Sequence, residues 1–283
     1  MENRNRFTAL ILPPTAYLFL LFLLPLGFML IFSFRAGTTG AAHDVFTLNN
    51  YRVFLENHSF QRLLLRSAEI SLTISVVSII FAYPIAYYIA FNAGKSKVFL
   101  MTLIIIPTWT SYLLRIFAWK LILGSTGILN QILLSIGMIE RASPILIYSR
   151  TAVVVTLIYV WVPFVMLPIF SALERIDRNL LEAAADLGCA SWESFLRVTL
   201  PLSLPGVVAG FFFAFIPTLG EFITPLLVGG AQGSMYGNLI QDQFMRALNW
   251  PMGSVMSLAM LGIVLIFMFL LTRLGPLSDL LGM

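Results

Sequence analysis

The chain has 283 residues, 59% hydrophobic and only 11% charged, with a formal net charge of +4. A globular domain carries about 25% charged residues, and here the apolar residues fall in runs too long for buried helices, so a large soluble core is excluded and an integral membrane protein is indicated. The basic residues are scattered rather than interleaved with aromatics on one face, which gives no sign of nucleic-acid binding.

No charged residue occurs between Arg6 and Arg35. Residues 10–34 are long enough to cross a hydrocarbon core of about 30 Å at about 1.5 Å per residue. The run exceeds the apolar region of a signal peptide and lacks a small-residue cleavage site, so it reads as an uncleaved first span. The polar interval from Arg35 to Arg66 holds Phe46, Leu48, Tyr51, Phe54 and Leu55, which predicts an ordered loop with a packed or interfacial element. His43 and His58 lie in it, too few and too far apart for a metal cluster. A second span, 70–94, contains Pro84, which predicts a kink, and Tyr83, Tyr87 and Tyr88 near an interface. Lys95 and Lys97 close a short connection, so the third span, 98–123, is expected as an antiparallel neighbour. This third span carries Pro107-Thr-Trp109-Thr-Ser111, Tyr112 and two cations, Arg115 and Lys120. The cations either snorkel to the headgroups or line a water-filled path.

Gly124 to Arg150 is a looser interval with Gly127, Gly137 and Pro144 as breakers. The fourth span is 151–173, the fifth 206–228 and the sixth 255–272, with Asn249-Trp-Pro-Met-Gly253 capping the entrance to the last. Six spans in one domain, 1–283, put both termini on one side. The count of basic residues on the two sides is close to a tie, but their density beside span ends favours termini inside.

Between the fourth and fifth spans, residues 174–205 form the one sizeable charged island. Asp177 to Leu187 is rich in helix formers, with Leu180, Leu181, Ala184 and Leu187 on one face. Gly188 is placed to end that helix in a left-handed conformation, and Ser191, Glu193 and Ser194 supply N-terminal chemistry for a second one. Cys189, the only cysteine, excludes an internal disulfide and reads as a small filler. Pro201 and Pro205-Gly206 are expected to break the second helix before the next apolar run.

Glu182-Ala183-Ala184, Gly188 six positions after the glutamate, and then Val198, Leu200 and Pro201 together resemble the EAA loop of bacterial ATP-binding-cassette importer permeases. An ordinary Ala-rich surface helix meets only some of these constraints at once. The resemblance implies an all-α integral membrane protein with the type I importer permease fold, six transmembrane helices and a cytoplasmic coupling loop seated on an ATPase. It assigns ATPase coupling to Glu182, Ala183, Ala184, Gly188, Leu200 and Pro201. It also implies a cytoplasmic ATPase dimer, a second homologous permease and a periplasmic or lipid-anchored substrate-binding protein. ATP and Mg would be bound on the partner ATPase and no cofactor by this chain. The site is the bacterial inner membrane, with N- and C-termini cytoplasmic. The chain shows no phosphate loop or nucleophile elbow of its own, so it is read as a transport subunit and not an enzyme.

One acidic residue, Glu221, stands inside an apolar run, roughly 24 Å along the fifth span from Pro205 at 1.5 Å per residue. An intramembrane carboxylate is costly unless paired or facing water. Two readings stay open: a substrate-path residue, or a structural pair with Arg115 or Lys120. Pro217, Gly220 and Pro225 loosen the chain around it. Pro107 to Arg115, Gly127-Ile-Leu-Asn130, Gly220-Glu-Phe222 with Gly229-Gly230, and Asn249-Trp-Pro251 resemble the spermidine/putrescine permease branch. Position 249 departs from it, being Asn where the branch implies Asp. The resemblance implies a small cationic solute, passed by a sparse carboxylate and aromatic faces such as Trp109, Tyr112 and Tyr148. The same aromatics also suit a lipid belt. A permease for an opine, an amino-acid-like compound or ferric iron is the alternative within the class. An ion-coupled carrier would need several mid-membrane ionisable groups and usually an inverted repeat.

Overall fold

The computed structural model describes residues 2–140 and 147–274; Pro144, expected as a breaker, lies outside them. Among the described residues the regular structure is helical, with one isolated antiparallel bridge, Arg35 to Phe46. Six helical stretches are long and apolar enough to cross a membrane: Ile11–Ser33, His58–Phe91, Tyr112–Ser135, Arg150–Glu174, Ser191–Leu219 and Trp250–Leu270. The described residues fall into two compact units, 2–62 with 239–263, and 63–140 and 147–238 with 264–274.

The first unit contains α1 (Glu2–Ser33), α2 (Asn49–Glu56), the start of α3 (His58–Phe91), the end of α11 (Tyr236–Met245) and the start of α12 (Trp250–Leu274). Residues 11–24 of α1 are exposed on every side, as suits an apolar rod bathed in lipid. After Ser33 the chain makes the expected ordered loop. Its ends are tied by Asn50, whose Nδ2 donates to Arg35 O at 2.7 Å and Ser33 O at 3.1 Å. The Arg35 guanidinium donates to His43 O and lies 4.3 Å from the Phe46 ring centroid. Thr38 Oγ1 donates to Leu248 O at 2.6 Å and accepts from Trp250 N at 3.0 Å. Asn249 Oδ1 accepts from Met252 N at 3.2 Å and so caps α12. An aspartate would accept the same bond, which makes the Asn at this position equivalent as a cap.

The second unit holds the rest of α3 and α4 (Lys97–Ile105), α5 (Tyr112–Leu123), α6 (Ile128–Ser135) and α7 (Arg150–Glu174). It continues with α8 (Arg178–Asp186), α9 (Ser191–Ser194), α10 (Leu200–Leu219) and the start of α11. Along α3, Ser67, Ser71, Ser75, Ser78, Ala82 and Ala86 are all buried; small side chains in such a row let helix backbones approach closely where no hydrophobic effect drives helices together. Two apolar clusters stack along the unit. One joins Ile70 and Ile74 to Ile116, Val153 and Leu157; the other joins Ala82, Ala86 and Ile89 to Val165, Ile169 and Leu173. α3 and α7 therefore run in the same direction. α10 runs against α7 with Gly206 at Pro168 and Ala172, and Gly210 at Val165. This is a small-xxx-small contact.

Three expectations about helix boundaries are corrected. The third run is not one helix over 98–123: α4 passes into a 3-10 turn, Ile106–Trp109, and α5 starts afresh at Tyr112. Pro107 lacks a donor and Thr110 is extended, so the α-ladder cannot continue. Pro201 and Pro205 do not break the second helix of the charged island, because α9 runs through a π-helical turn, Phe195–Thr199, into α10 as one rod. The wider turn immediately before Pro201 accommodates the ring and its missing N–H. The fifth run does not continue to 228, since α10 ends at Leu219 and a π-helical turn follows at Pro225–Gly229.

Candidate functional site

The first candidate element is the helix pair α8 and α9. Asp177 Oδ1 accepts from Asn179 N at 3.0 Å and caps α8. At the other end Gly188 has φ +85°. Cys189 N bonds to Ala184 O at 3.0 Å and Gly188 N to Ala185 O at 2.9 Å, the paired bonds of a Schellman ending. Of Ser191, Glu193 and Ser194, expected to supply N-terminal chemistry for the next helix, the glutamate does so, and Ser191 does not hold the cap position. Ala190 holds that position, and Glu193 Oε2 reaches back to accept from Ala190 N at 3.1 Å. The glutamate spacing does this work without the serine.

Of the apolar face expected on α8, Ala184 is buried and Leu181 half-buried, while Leu180 is exposed and Leu187 is 86% exposed. Trp192 is 65% exposed on α9. Glu182, Ala183, Gly188 and Pro201 are exposed, and Leu200 is half-buried. The hinge thus offers an apolar, small-residue surface with an exposed carboxylate.

The π-helical turn ties this hinge to the spanning helices. Phe195, which sequence reasoning passed over, meets Tyr83 and Tyr87 of α3 edge-on at 5.7 and 5.9 Å. Tyr83 OH lies 2.8 Å from Ser203 Oγ on α10. Lys97 at the start of α4 pairs with Glu174 at the end of α7. Tyr83 and Tyr87 therefore pack on protein, while Tyr88 is exposed.

The second candidate element is Glu221, in the break after α10. Its Oε1 accepts from Ile223 N at 2.8 Å and Thr224 N at 3.0 Å. Oε2 accepts from Tyr112 OH at 2.6 Å, and that hydroxyl also lies 2.9 Å from Thr224 Oγ1. Asn238 Nδ2 donates to Phe222 O at 2.7 Å, and Gly237 sits so close to the carbonyls of Gly220 and Glu221 that a Cβ would lie 2.6 Å from each. Tyr236, fully buried beside this segment, has its phenol held above the ordinary range by desolvation.

Among the described residues no Lys or Arg nitrogen lies within 4.0 Å of Glu221, so of the two open readings the structural pair with Arg115 or Lys120 is not formed, and Tyr112 and two backbone amides hold the carboxylate instead. The structure brings Tyr112 to Glu221 and sets Arg115 beside the Tyr112 ring at 5.9 Å. Trp109 stands apart on the 3-10 turn, 84% exposed. The Gly127-to-Asn130 stretch shapes the α5–α6 turn: Asn130 is buried and its Nδ2 donates to Gly124 O at 2.8 Å.

The sequence profile of the family described as "Binding-protein-dependent transport system inner membrane component" matches residues 54–279. The spermidine/putrescine transport system permease protein PotB of Salmonella typhimurium (strain SL1344) is 33% identical over 97% of this chain and 96% of its own length. PotB of Escherichia coli (strain K12) is 35% identical over 81% of this chain and 84% of its own. A chain in the crystal structure of a bacterial ABC transporter that imports the acidic polysaccharide alginate matches with a TM-score of 0.68, covering 96% of both chains at 19% identity. That likeness concerns the fold.

Proposed function

Because the chain belongs to the family of binding-protein-dependent transport system inner membrane components, the permease subunits of ABC importers, we propose that it forms, with a second homologous permease, the path for a polyamine. The hinge at Gly188 carries this reading. Two short helices with exposed Leu180, Leu187 and Trp192 around an exposed Glu182 offer a surface for an ATPase subunit, and Phe195 between Tyr83 and Tyr87 supplies a rigid contact from that surface into α3. The ATPase dimer lies on the cytoplasmic side with this loop and both termini, binds the ATP and Mg, and drives the cycle. A separate substrate-binding protein delivers the solute.

The named PotB relatives support spermidine or putrescine as the cargo. Glu221 supports it chemically: it is a carboxylate in an apolar setting, held beside an aromatic ring by Tyr112, and it can exchange a hydrogen bond for an ammonium group. The other solutes of the class, an opine, an amino-acid-like compound or ferric iron, are distinguished by uptake through the full complex with its own binding protein.

Glu221→Gln is the informative variant. Its amide oxygen still accepts from Ile223 N and Thr224 N, and its NH2 donates to Tyr112 OH, which turns to Thr224 Oγ1, so only the charge is removed. Spermidine uptake by the reconstituted complex is expected to fall about tenfold, the ratio for one charge-assisted contact, with assembly unchanged. Tyr112→Phe keeps the charge and loses the clamp, and is expected to lower stability by about 1–3 kcal/mol for the unpaired carboxylate oxygen. Unchanged uptake of every cationic solute in Glu221→Gln would remove Glu221 from the path.

A further inference from the structure

A groove of about 590 Å³ runs between α3, the α4–α5 break and α7. Its length is apolar, lined by Phe81, Ile85, Ile104, Ile158 and Val162. Arg115 lines one part of it and also lines an adjoining groove of about 330 Å³ that includes Thr110. Trp119 and Tyr159 border both grooves, their rings 5.5 Å apart. Arg115 Nε is buried with no hydrogen-bond partner among the described residues, and its guanidinium makes no ion pair among them. A cation in a wall of aliphatic side chains repels a polyamine and calls for an anion with an apolar body.

Depth along the helices specifies that body. The ion pair of Lys97 with Glu174 marks one membrane boundary. Ile104 lies about 10 Å above Lys97 along α4, and Tyr159, which borders both grooves with Arg115, lies about 22 Å above Glu174 along the unbroken α7, at 1.5 Å per residue. In a core of about 30 Å, this puts the guanidinium in the opposite leaflet, about 8 Å short of its boundary and within snorkelling reach of its phosphates, with the aliphatic end of the groove deeper in the membrane. Trp119, one turn beyond Arg115 on α5, then stands where aromatic rings meet headgroups.

We propose that this groove is a binding site for one phospholipid with an anionic headgroup, its phosphate forked by Arg115 and its acyl chain laid along Phe81, Ile85 and Ile104. The lipid comes from the leaflet opposite Lys97. Arginine's planar fork matches a phosphate better than a lysine point charge does. A zwitterionic headgroup sets its own ammonium against the guanidinium, so the site selects net negative charge.

The complete complex is placed in phosphatidylcholine vesicles containing phosphatidylglycerol with a photoactivatable acyl chain, irradiated, and its peptides mapped, with ATPase activity as the assembly control. Labelling is expected within 81–85, 104–108 and 155–163. It should fall about tenfold in Arg115→Gln, the ratio for losing one charge-assisted contact, and hold largely in Arg115→Lys. Equal labelling by a phosphatidylcholine probe, or labelling unchanged in Arg115→Gln, overturns the proposal. If Arg115→Gln separates the two permeases while labelling persists, the guanidinium belongs to a carboxylate of the second permease and the lipid reading falls.

Discussion

Gly206→Leu is expected to remove the folded chain from the membrane almost completely. At Gly206 even a Cβ would lie 2.5 Å from Ala172 Cβ and 2.6 Å from Pro168 O. The second of these is backbone in the middle of α7, so relief requires the two helices to part. Overpacking of a tight core costs about 1–3 kcal/mol when side chains can adjust, and here a carbonyl cannot swing away. Separation would also unseat Gly210 from Val165 and Ala214 from its apolar cluster. Fluorescence-detected gel filtration of detergent extracts would measure the loss, with Gly206→Ala intermediate. Gly27→Ala and Gly262→Ala are the controls, because nothing lies within 4 Å of a Cβ at either position. A monodisperse Gly206→Leu protein at the level of those controls would show that α7 and α10 do not meet as described.

Gly188 is expected to behave in the opposite way, failing by torsion instead of contact. A Cβ there meets nothing within 4 Å, yet φ is +85°. A β-branched residue pays about 1–2 kcal/mol for a left-handed conformation, whereas Asn visits it readily. Gly188→Val should therefore insert normally and co-purify about tenfold less ATPase subunit, the ratio that 1.4 kcal/mol produces. Gly188→Asn should stay close to wild type. If both variants lose the ATPase equally, the partner surface and not the turn is what position 188 serves. If both keep it, the hinge has no part in the grip.

These two glycines also show what the sequence could carry. The end of α8 was legible because a helix stop followed by Gly is a local signal, and the Schellman bonds at Cys189 and Gly188 formed where that signal lies. The number of apolar stretches was legible from hydropathy alone, although the third candidate span lies at Tyr112–Ser135 and not at 98–123. Boundaries were not, wherever a proline met an unusual turn. Pro201 reads as a breaker until the π-helical turn before it is known, and that turn depends on Phe195 packing against Tyr83 and Tyr87 more than a hundred residues away. Glu221 stood out as a lone carboxylate, but its partner Tyr112 belongs to another helix, and its own two amide donors need the chain break after α10. A pair with nearby cations was one of the two readings that the sequence left open. Long-range geometry decided otherwise and left Arg115 to its apolar groove.

The claim that a partner grips the Gly188 hinge from the cytoplasm has a direct test in the native chain, because its only cysteine, Cys189, adjoins the hinge and is partly exposed. A membrane-impermeant maleimide should leave Cys189 unlabelled in intact cells and label it in inside-out vesicles stripped of the ATPase subunit, with labelling suppressed when that subunit is restored. Labelling in intact cells would place the hinge on the outer face, where no ATPase could reach it, and would contradict the account.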